Sequence, residues 1–419
     1  MRYDIYFAMK PLHLLCKAVG LCPHSFKRNT KKNSRQLCVL WSFSLILSLA
    51  VCFIYRLVTT ILNPKSRPHW MTGLTYVTTD YVAGLGCLIF GLTTQRKKCQ
   101  LINYKIKKID EMFNLHNDRI HIYKRQRFIV IFCTTLIISS IAALCCSMLY
   151  SWEDFVPSNL FICDFLCYYI VFIVSLRHVL YAKLLRDKFK EMNLQIGSIV
   201  HGILDVHFDS DVKDLTNTCA VIQFASSRQR KMQTSNGAIE PATTARAPCN
   251  YRQCLTRIHR MKHLHVELHS LTQLINFTFG LQIFLAIIWL IVIITLAFHL
   301  VAKYISTLSA MNNHITRHDF EGILAIMWAV FASGFFFTIS VACHETSEEA
   351  AMSVSLVHSL LLDPCLNSDV SKELELFSTQ LTHLKIEFSS RGFFAINLPF
   401  FISTLGVIFT YVIFFCQFV

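Results

Sequence analysis

The chain has 419 residues, of which 53% are hydrophobic, 34 are Phe and 16% are charged, and its formal net charge is +14. This apolar content excludes an ordinary soluble domain and favours a membrane protein. The positive charge is divided among separate polar loops. It therefore indicates a topology signal, and we expect no nucleic-acid partner.

Seven apolar stretches of the sequence are long enough to cross a bilayer as helices. A helix needs about 20 such residues to span the hydrocarbon core. Together the stretches predict an all-α, polytopic membrane protein with seven transmembrane helices. They are residues 37–62, 76–93, 128–150, 160–181, 277–301, 322–342 and 393–415.

The distribution of basic residues predicts which ends of these spans are cytoplasmic. Residues 1–36 contain eight Lys and Arg, residues 94–127 contain ten, and residues 182–276 contain thirteen. The loops at 63–75 and 302–321 contain only two each. Because basic loops stay in the cytoplasm, we expect a cytoplasmic N-terminus and, after seven spans, an extracellular C-terminus. This orientation is opposite to that of G-protein-coupled receptors.

The predicted segments follow in chain order. Residues 1–36 form a cytoplasmic N-terminal segment, in which 5–22 has the mixed apolar and basic pattern of an interfacial helix. Residues 37–342 form a six-helix ligand-binding bundle. Within it, the long cytoplasmic loop 182–276 has helical periodicity at both ends, while its middle, 226–248, has the composition of a disordered segment.

Charged and aromatic side chains gather in the predicted outer halves of the first six spans. A charge inside a bilayer costs roughly 2.5–3.5 kcal/mol on insertion scales, so it indicates a partner or a polar cavity. One interpretation is a ligand pocket, in which rings stack on the ligand and charges orient it. The other is a structural pairing of Arg56 with Asp80 beside an aromatic belt at the membrane interface. The candidate ligand-binding residues are Arg56, Asp80, Tyr81, Tyr150, Asp164, Tyr168, His299 and Trp328.

Residues 343–392, between the sixth and seventh spans, contain an amphipathic helical pattern. Apolar residues recur there at spacings of three and four, as in a heptad seam. Such a seam packs either against the same chain or against a second copy. The second case would make 343–392 a cytoplasmic anchor and oligomerisation region. The seam residues are Leu374, Phe377, Leu381, Leu384 and Phe388.

No catalytic constellation is visible in the sequence, so we expect neither an enzyme nor a cofactor. His259 and His263, and likewise His265 and His269, have the i,i+4 spacing of metal ligands. Without a supporting carboxylate, these histidines are far more typical of a solvated basic helix face. We therefore predict no metal site.

The C-terminal segment, 393–419, carries polar side chains at the end of the seventh span. Thr410 and Gln417 lie seven residues apart and share one helical face. Polar groups are costly in lipid, so this face is expected to meet protein or water. It is the best candidate for lining a pore that closes at its outer end. The pore and gate candidates are Thr410, Ile413, Phe414, Gln417 and Phe418.

This C-terminal pattern resembles the signature of the insect gustatory receptors, which are related to the insect odorant receptors. The pattern is Thr410-Tyr411, five apolar residues and then Gln417-Phe418. A further resemblance lies within 322–419. It consists of Cys343-His344, Glu349-Ala350, Gln380-Leu381-x-His383, Phe388 and Gly392-Phe393-Phe394.

The resemblance implies a taste receptor that is itself a ligand-gated, non-selective cation channel in the plasma membrane of gustatory sensory neurons. In that family four subunits each contribute a seventh helix to the pore, which implies a homotetramer or a heteromer with related receptors. The implied partners are membrane lipid, inorganic cations and a small-molecule tastant, either a sugar or a bitter plant compound. The alternative class is a metabotropic seven-helix receptor that signals through a G protein.

The charge pattern makes a testable prediction about orientation. An epitope tag at the N-terminus should bind antibody only after permeabilisation, because the eight basic residues before the first span oppose export. A tag after Val419 should be labelled on intact cells. Immunofluorescence that detects the N-terminal tag without permeabilisation would contradict the predicted topology.

Overall fold

The structure is a computed structural model that describes residues 5–21, 32–62, 67–113, 123–135, 138–139, 142, 158–208, 251–310, 317–362 and 366–417. These residues are mainly helical, with one isolated antiparallel bridge between Ser389 and Ala395. The predicted all-α class is therefore confirmed. In chain order, the helices are α1 (Ile5–Ala18), α2 (Lys32–Leu62), α3 (Arg67–Met112), α4 (123–135), α5 (Ser158–Phe208), α6 (Tyr251–Ala310), α7 (Arg317–Leu361), α8 (Ser368–His383) and α9 (Leu398–Gln417).

Five of the described helices are long and apolar enough to cross a membrane, and they coincide with predicted spans one, two, four, five and six. Helix α9 has 20 residues, so at 1.5 Å per residue it reaches about 30 Å, the thickness of the hydrocarbon core. Most of the predicted third span lies outside the described residues, and α4 covers its beginning. The five candidate spans are Gln36–Leu62, Gly73–Thr93, Cys163–Ile199, Arg252–Ile305 and Gly322–Leu361.

The helices that contain spans four, five and six continue well beyond a membrane thickness. Helix α5 has 51 residues, α6 has 60 and α7 has 45. The helical ends predicted for the long cytoplasmic loop are confirmed as the last part of α5 and the first part of α6. The segment 226–248, predicted to be disordered, lies outside the described residues. The boundary that the sequence suggested after residue 342 falls inside α7.

The chain forms two compact units. The first comprises Met1–Leu185, Ser270–Ser347 and Glu387–Val419, and the second comprises Arg186–His269 and Glu348–Ile386. The first unit therefore holds most of each predicted span, and the second holds most of the predicted cytoplasmic helices.

In the second unit, helix α8 begins at a side-chain cap and packs through the predicted seam. The Asn367 side chain accepts a hydrogen bond of 3.0 Å from the backbone N–H of Asp369, which satisfies a donor at the helix start. Leu374, Phe377 and Leu381 are each at most 3% exposed. The seam is thus buried within the chain, which was one of the two alternatives left open by the sequence.

The burial of the seam leaves the predicted oligomerisation residues little surface for contact with a second copy. Leu384 is the half-buried C-cap of α8. Phe388 is 1% exposed and lies in the first unit, where its ring meets that of His178 at a centroid distance of 5.7 Å. Side chains buried in this way cannot reach a second copy, so a contact between copies through α8 would need its exposed face, which includes Leu376.

A buried polar network also joins α5 to α7 within the second unit. The Asn193 side chain donates from Nδ2 to the Glu349 carbonyl oxygen at 2.7 Å and to Glu349 Oε1 at 3.1 Å. Ser353 Oγ donates to Asn193 Oδ1 at 2.6 Å. Because both ends of the Asn193 amide are paired, its burial carries no unsatisfied group.

The opposite environments of two leucines on α8 give a matched test of this packing. Leu381→Ala should lower the free energy of unfolding by about 2–5 kcal/mol, because it opens a cavity at a buried site. Leu376→Ala removes the same atoms from an exposed position and should stay within about 0.5 kcal/mol of the parent. Thermal unfolding of the purified protein in detergent measures both, and equal losses would show that the seam assignment is wrong.

Candidate functional site

A buried ion pair joins α2 to α5 in the first unit. Arg56 Nη2 donates to Asp164 Oδ2 at 2.8 Å, and the two side chains are only 10% and 7% exposed. Removing each ion from water costs several kcal/mol, so neither charge is expected to be stable at this site without the other. The pair therefore fixes the rotation of α2 against α5.

A second buried carboxylate lies on α3. Asp80 is 1% exposed and accepts hydrogen bonds from Trp289 Nε1 at 2.6 Å and from the Tyr168 hydroxyl at 2.9 Å. The hydroxyls of Tyr76 and Tyr168 are also hydrogen-bonded to each other. Asp80 thus gathers groups from α5 and α6, and each of its oxygens has a donor.

Aromatic rings enclose these polar groups. The Tyr168 ring lies 5.5 Å from the Trp289 ring and 5.4 Å from the Trp328 ring, measured between centroids. The Tyr81 ring lies 5.5 Å from that of Phe53 and is itself fully buried. Such distances are typical of favourable ring pairs. We call this group the buried polar cluster; its members are Arg56, Tyr76, Asp80, Tyr81, Asp164, Tyr168, Trp289 and Trp328.

Helix α9 has two different faces in the first unit. Phe401, Thr404 and Ile408 are buried at spacings of three and four residues. On the other side, the face that the sequence predicted to line a pore is exposed. Its described residues are Ser403, Gly406, Thr410, Ile413 and Phe414.

The helices that carry the two tryptophans of the cluster also hold α9. Phe298 of α6 meets Phe409 of α9 at 5.2 Å between ring centroids. Phe336 of α7 meets Phe401 of α9, also at 5.2 Å. A change in the cluster that moved α6 or α7 would therefore reach α9 through packed aromatic rings.

The sequence profile of the 7tm chemosensory receptor family matches residues 9–419, which is nearly the whole chain. The chain belongs to this family. The resemblance to insect chemoreceptors that the C-terminal pattern indicated is therefore confirmed. A search of proteins with curated descriptions finds no match.

Solved structures show the same fold as the receptor. The structure of the insect olfactory receptor OR5 from Machilis hrabei aligns with a TM-score of 0.59 at 11% identity, over 98% of each chain. The structure of OR5 in complex with eugenol aligns with a TM-score of 0.52 at the same identity and coverage. At this level of identity the likeness extends to the fold alone.

The structure brings most of the predicted ligand-binding residues together. Arg56 binds Asp164, and Asp80 binds Tyr168, which follows Asp164 by four residues on α5. His299 is half-buried on α6, about 15 Å along the helix from Trp289. Tyr150 lies outside the described residues. The predicted residues found in the buried polar cluster are Arg56, Asp80, Tyr81, Asp164, Tyr168 and Trp328.

The alternative prediction, that Arg56 pairs with Asp80, is wrong. Arg56 binds Asp164, while the oxygens of Asp80 are occupied by Trp289 and Tyr168. Trp289 does not stand out in the sequence, because it lies within a continuous apolar run. A signal was nevertheless present, since a buried indole N–H usually has an acceptor.

Among the pore candidates, the structure describes the side chains of Thr410, Ile413 and Phe414 on α9. Gln417 ends the helix, but its side chain and Phe418 lie outside the described residues. Thr410 donates from Oγ1 to the Gly406 carbonyl oxygen of its own helix at 2.9 Å. The hydroxyl hydrogen of Thr410 is therefore already donated within the helix.

No group of three or more His, Cys, Asp and Glu side chains that could hold a metal occurs among the described residues. His259 Nε2 lies 3.8 Å from Glu373, but Lys262 pairs with the same carboxylate at 2.8 Å. His265 is buried between the rings of Phe189 and Phe377. Burial, together with the nearby His269, lowers the pKa of His265 to about 4, so it packs there as a neutral ring.

The ion pair makes a prediction that a double-mutant cycle can test. Arg56→Met or Asp164→Leu alone should destabilise the receptor by about 3–5 kcal/mol, because each leaves one buried charge without its partner. The combined variant should recover most of that loss, since apolar side chains replace both charges. Thermal unfolding in detergent measures the cycle, with exposed Lys107→Met as the control. Additive losses in the double variant would contradict a direct pairing.

Proposed function

We propose that the receptor is a gustatory receptor that acts as a tastant-gated, non-selective cation channel. The observation that carries this proposal is the buried polar cluster, set on the same helices, α6 and α7, that hold α9. Family membership supports a chemosensory role. The proposal includes seven spans, a cytoplasmic N-terminus and a location in the plasma membrane of gustatory sensory neurons.

The proposed ligand site is the buried polar cluster. A ligand hydroxyl or amine would compete with Tyr168 and Trp289 for Asp80, while the surrounding rings would stack on its apolar surface. Sugars match these carboxylates through their hydroxyls, and basic bitter plant compounds match them through charge and ring stacking. The complex of OR5 with eugenol supports a small-molecule ligand for this fold.

The proposed pore requires several copies, because one helix cannot enclose a channel. The exposed face of α9 is available for such an assembly, and we propose a tetramer, formed from identical chains or with related receptors. In it, Thr410, Ile413 and Phe414 would line the pore, and Gln417 with Phe418 would form the constriction. Bulky apolar and amide side chains in a narrow ring can gate by constriction and dewetting.

The proposed opening of the pore depends on the contacts of α6 and α7 with α9. A ligand that displaced the Asp80 hydrogen bonds would favour a different placement of α6 and α7. The packed rings of Phe298 and Phe336 would carry that shift to α9. The equilibrium can move only by the difference in ligand affinity between the closed and open states.

The test is an excised-patch recording from cells that express only this chain, after a tastant panel has identified an agonist. We expect the evoked current to persist without GTP, because the pore belongs to the chain. Asp80→Asn should lower agonist potency by about tenfold or more, since charge-assisted hydrogen bonds are worth roughly 1.5–3 kcal/mol. Glu375→Gln, on the exposed face of α8, is the control and should leave the potency unchanged.

The gate is tested in the same recordings. Gln417→Ala or Phe418→Ala should raise the ligand-free current or alter ion selectivity, while Val412→Ala, which is half-buried away from the proposed pore face, should do neither. A current that disappears without GTP would instead favour the metabotropic class. Unchanged potency in Asp80→Asn would show that the ligand binds elsewhere.

A further inference from the structure

A compact turn leads from α8 into α9. The backbone N–H of Ser390 donates to the carbonyl oxygen of Phe394 at 3.0 Å. The backbone N–H of Phe393 donates to the carbonyl oxygen of Ser390, also at 3.0 Å. Inside this turn Arg391 has a φ of 53°, the left-handed conformation that glycine adopts far more readily. A non-glycine residue held in this way often marks a functional constraint.

The turn is fixed against α6. Ser390 Oγ donates to the Gly280 carbonyl oxygen at 2.9 Å, and Asn276 Nδ2 donates to the Glu387 carbonyl oxygen at 2.8 Å. The approach at Gly280 is so close that a Cβ there would lie 2.8 Å from the backbone nitrogen of Arg391. The position of Arg391 is therefore set by the packing of the turn on α6.

Two cations meet at one aromatic ring beside this turn. Lys98 Nζ lies 3.5 Å from the centroid of the Phe277 ring, and the Arg391 guanidinium carbon lies 4.7 Å from it. Burial and the charge of Arg391 lower the pKa of Lys98. Neither cation makes an ion pair with a carboxylate among the described residues. Two like charges placed this close repel each other, and a bound anion would remove that repulsion.

The surroundings of this pair have the character of a membrane surface. Lys98 follows Arg96 and Lys97, just after the second predicted span. Phe277 begins the fifth predicted span and is 46% exposed, and Phe393, in the turn before α9, is 68% exposed. In the topology proposed above, these residues lie at the cytoplasmic boundary, where basic clusters attract anionic lipids.

We propose that Lys98 and Arg391 bind the phosphate groups of a phosphorylated phosphatidylinositol in the cytoplasmic leaflet, beside the exposed rings of Phe277 and Phe393. A phosphate monoester carries about −1.5 to −2 charges near neutral pH, which matches two adjacent cations better than a singly charged headgroup does. Arginine binds phosphate through a planar, bidentate fork. Because the turn continues directly into α9, the bound lipid would restrain the start of the proposed pore helix. The choice of leaflet rests on the proposed topology, whereas the binding test does not.

The test uses the full-length receptor purified in detergent and a short-chain, soluble phosphatidylinositol bisphosphate. Binding is measured by titration and by the rise in thermal unfolding temperature. Lys98→Gln/Arg391→Gln should weaken binding by about tenfold or more, since charge-assisted hydrogen bonds to phosphate are lost. The matched control, Lys107→Gln/Lys385→Gln, removes two exposed positive charges and should bind like the parent.

Arg391→Gly separates binding from folding. Glycine accepts the positive φ freely, so this variant should unfold at the same temperature as the parent or higher without lipid, yet bind the lipid more weakly. Short-chain phosphatidylserine should bind more weakly than the bisphosphate lipid, and inorganic phosphate more weakly still. The proposal is overturned if both double variants lose affinity equally, if Lys98→Gln/Arg391→Gln keeps the parent affinity, or if inorganic phosphate binds as tightly as the lipid.

Discussion

The burial of charge inside an apolar helical bundle is the constraint on which the first unit depends. Arg56 and Asp164 are paired, and each oxygen of Asp80 accepts a hydrogen bond, from an indole or a phenol, because a buried charge without a partner has no water to bind. The partners come from different helices, α2, α3, α5 and α6. A helix rotation by one residue, about 100°, would separate them. The polar contacts therefore specify one rotational arrangement among the many that apolar packing alone would tolerate.

The same constraint shapes how a ligand would act. In the proposed receptor both oxygens of Asp80 already accept a hydrogen bond, so a ligand that binds Asp80 must exchange hydrogen bonds with Tyr168 or Trp289. Such an exchange changes the free energy only by a small difference between similar interactions. Coupling free energies between sites are typically about 1–3 kcal/mol, which such a difference can supply. A carboxylate whose oxygens are already hydrogen-bonded, as in Asp80, is in this respect better suited to switching than one in an open cavity would be.

The sequence predicts the parts of this arrangement that depend on local pattern. Arg56, Asp80 and Asp164 stand out because charges are rare in apolar stretches, and the α8 seam stands out because it is amphipathic. Which charge pairs with which depends on lateral neighbours and helix rotation. Helix α5 carries no polar stripe to reveal its orientation, since its membrane part is buried nearly all round. Trp289 was hidden because it lies within a continuous apolar run, and whether the α8 seam meets its own chain or a copy is likewise not a local property.

The pore assignment of α9 depends less on Thr410 than the sequence suggests. The Thr410 hydroxyl donates to the Gly406 carbonyl oxygen within its own helix, so it would cost little if that face met lipid. The exposed Ile413 and Phe414 are equally compatible with lipid. Gln417 is different, because a side-chain amide has two N–H groups and a carbonyl oxygen, more than the last turn of a helix can satisfy. An amide at the end of a span needs water or protein beside it, and in the proposed tetramer a ring of copies around an aqueous path would provide both.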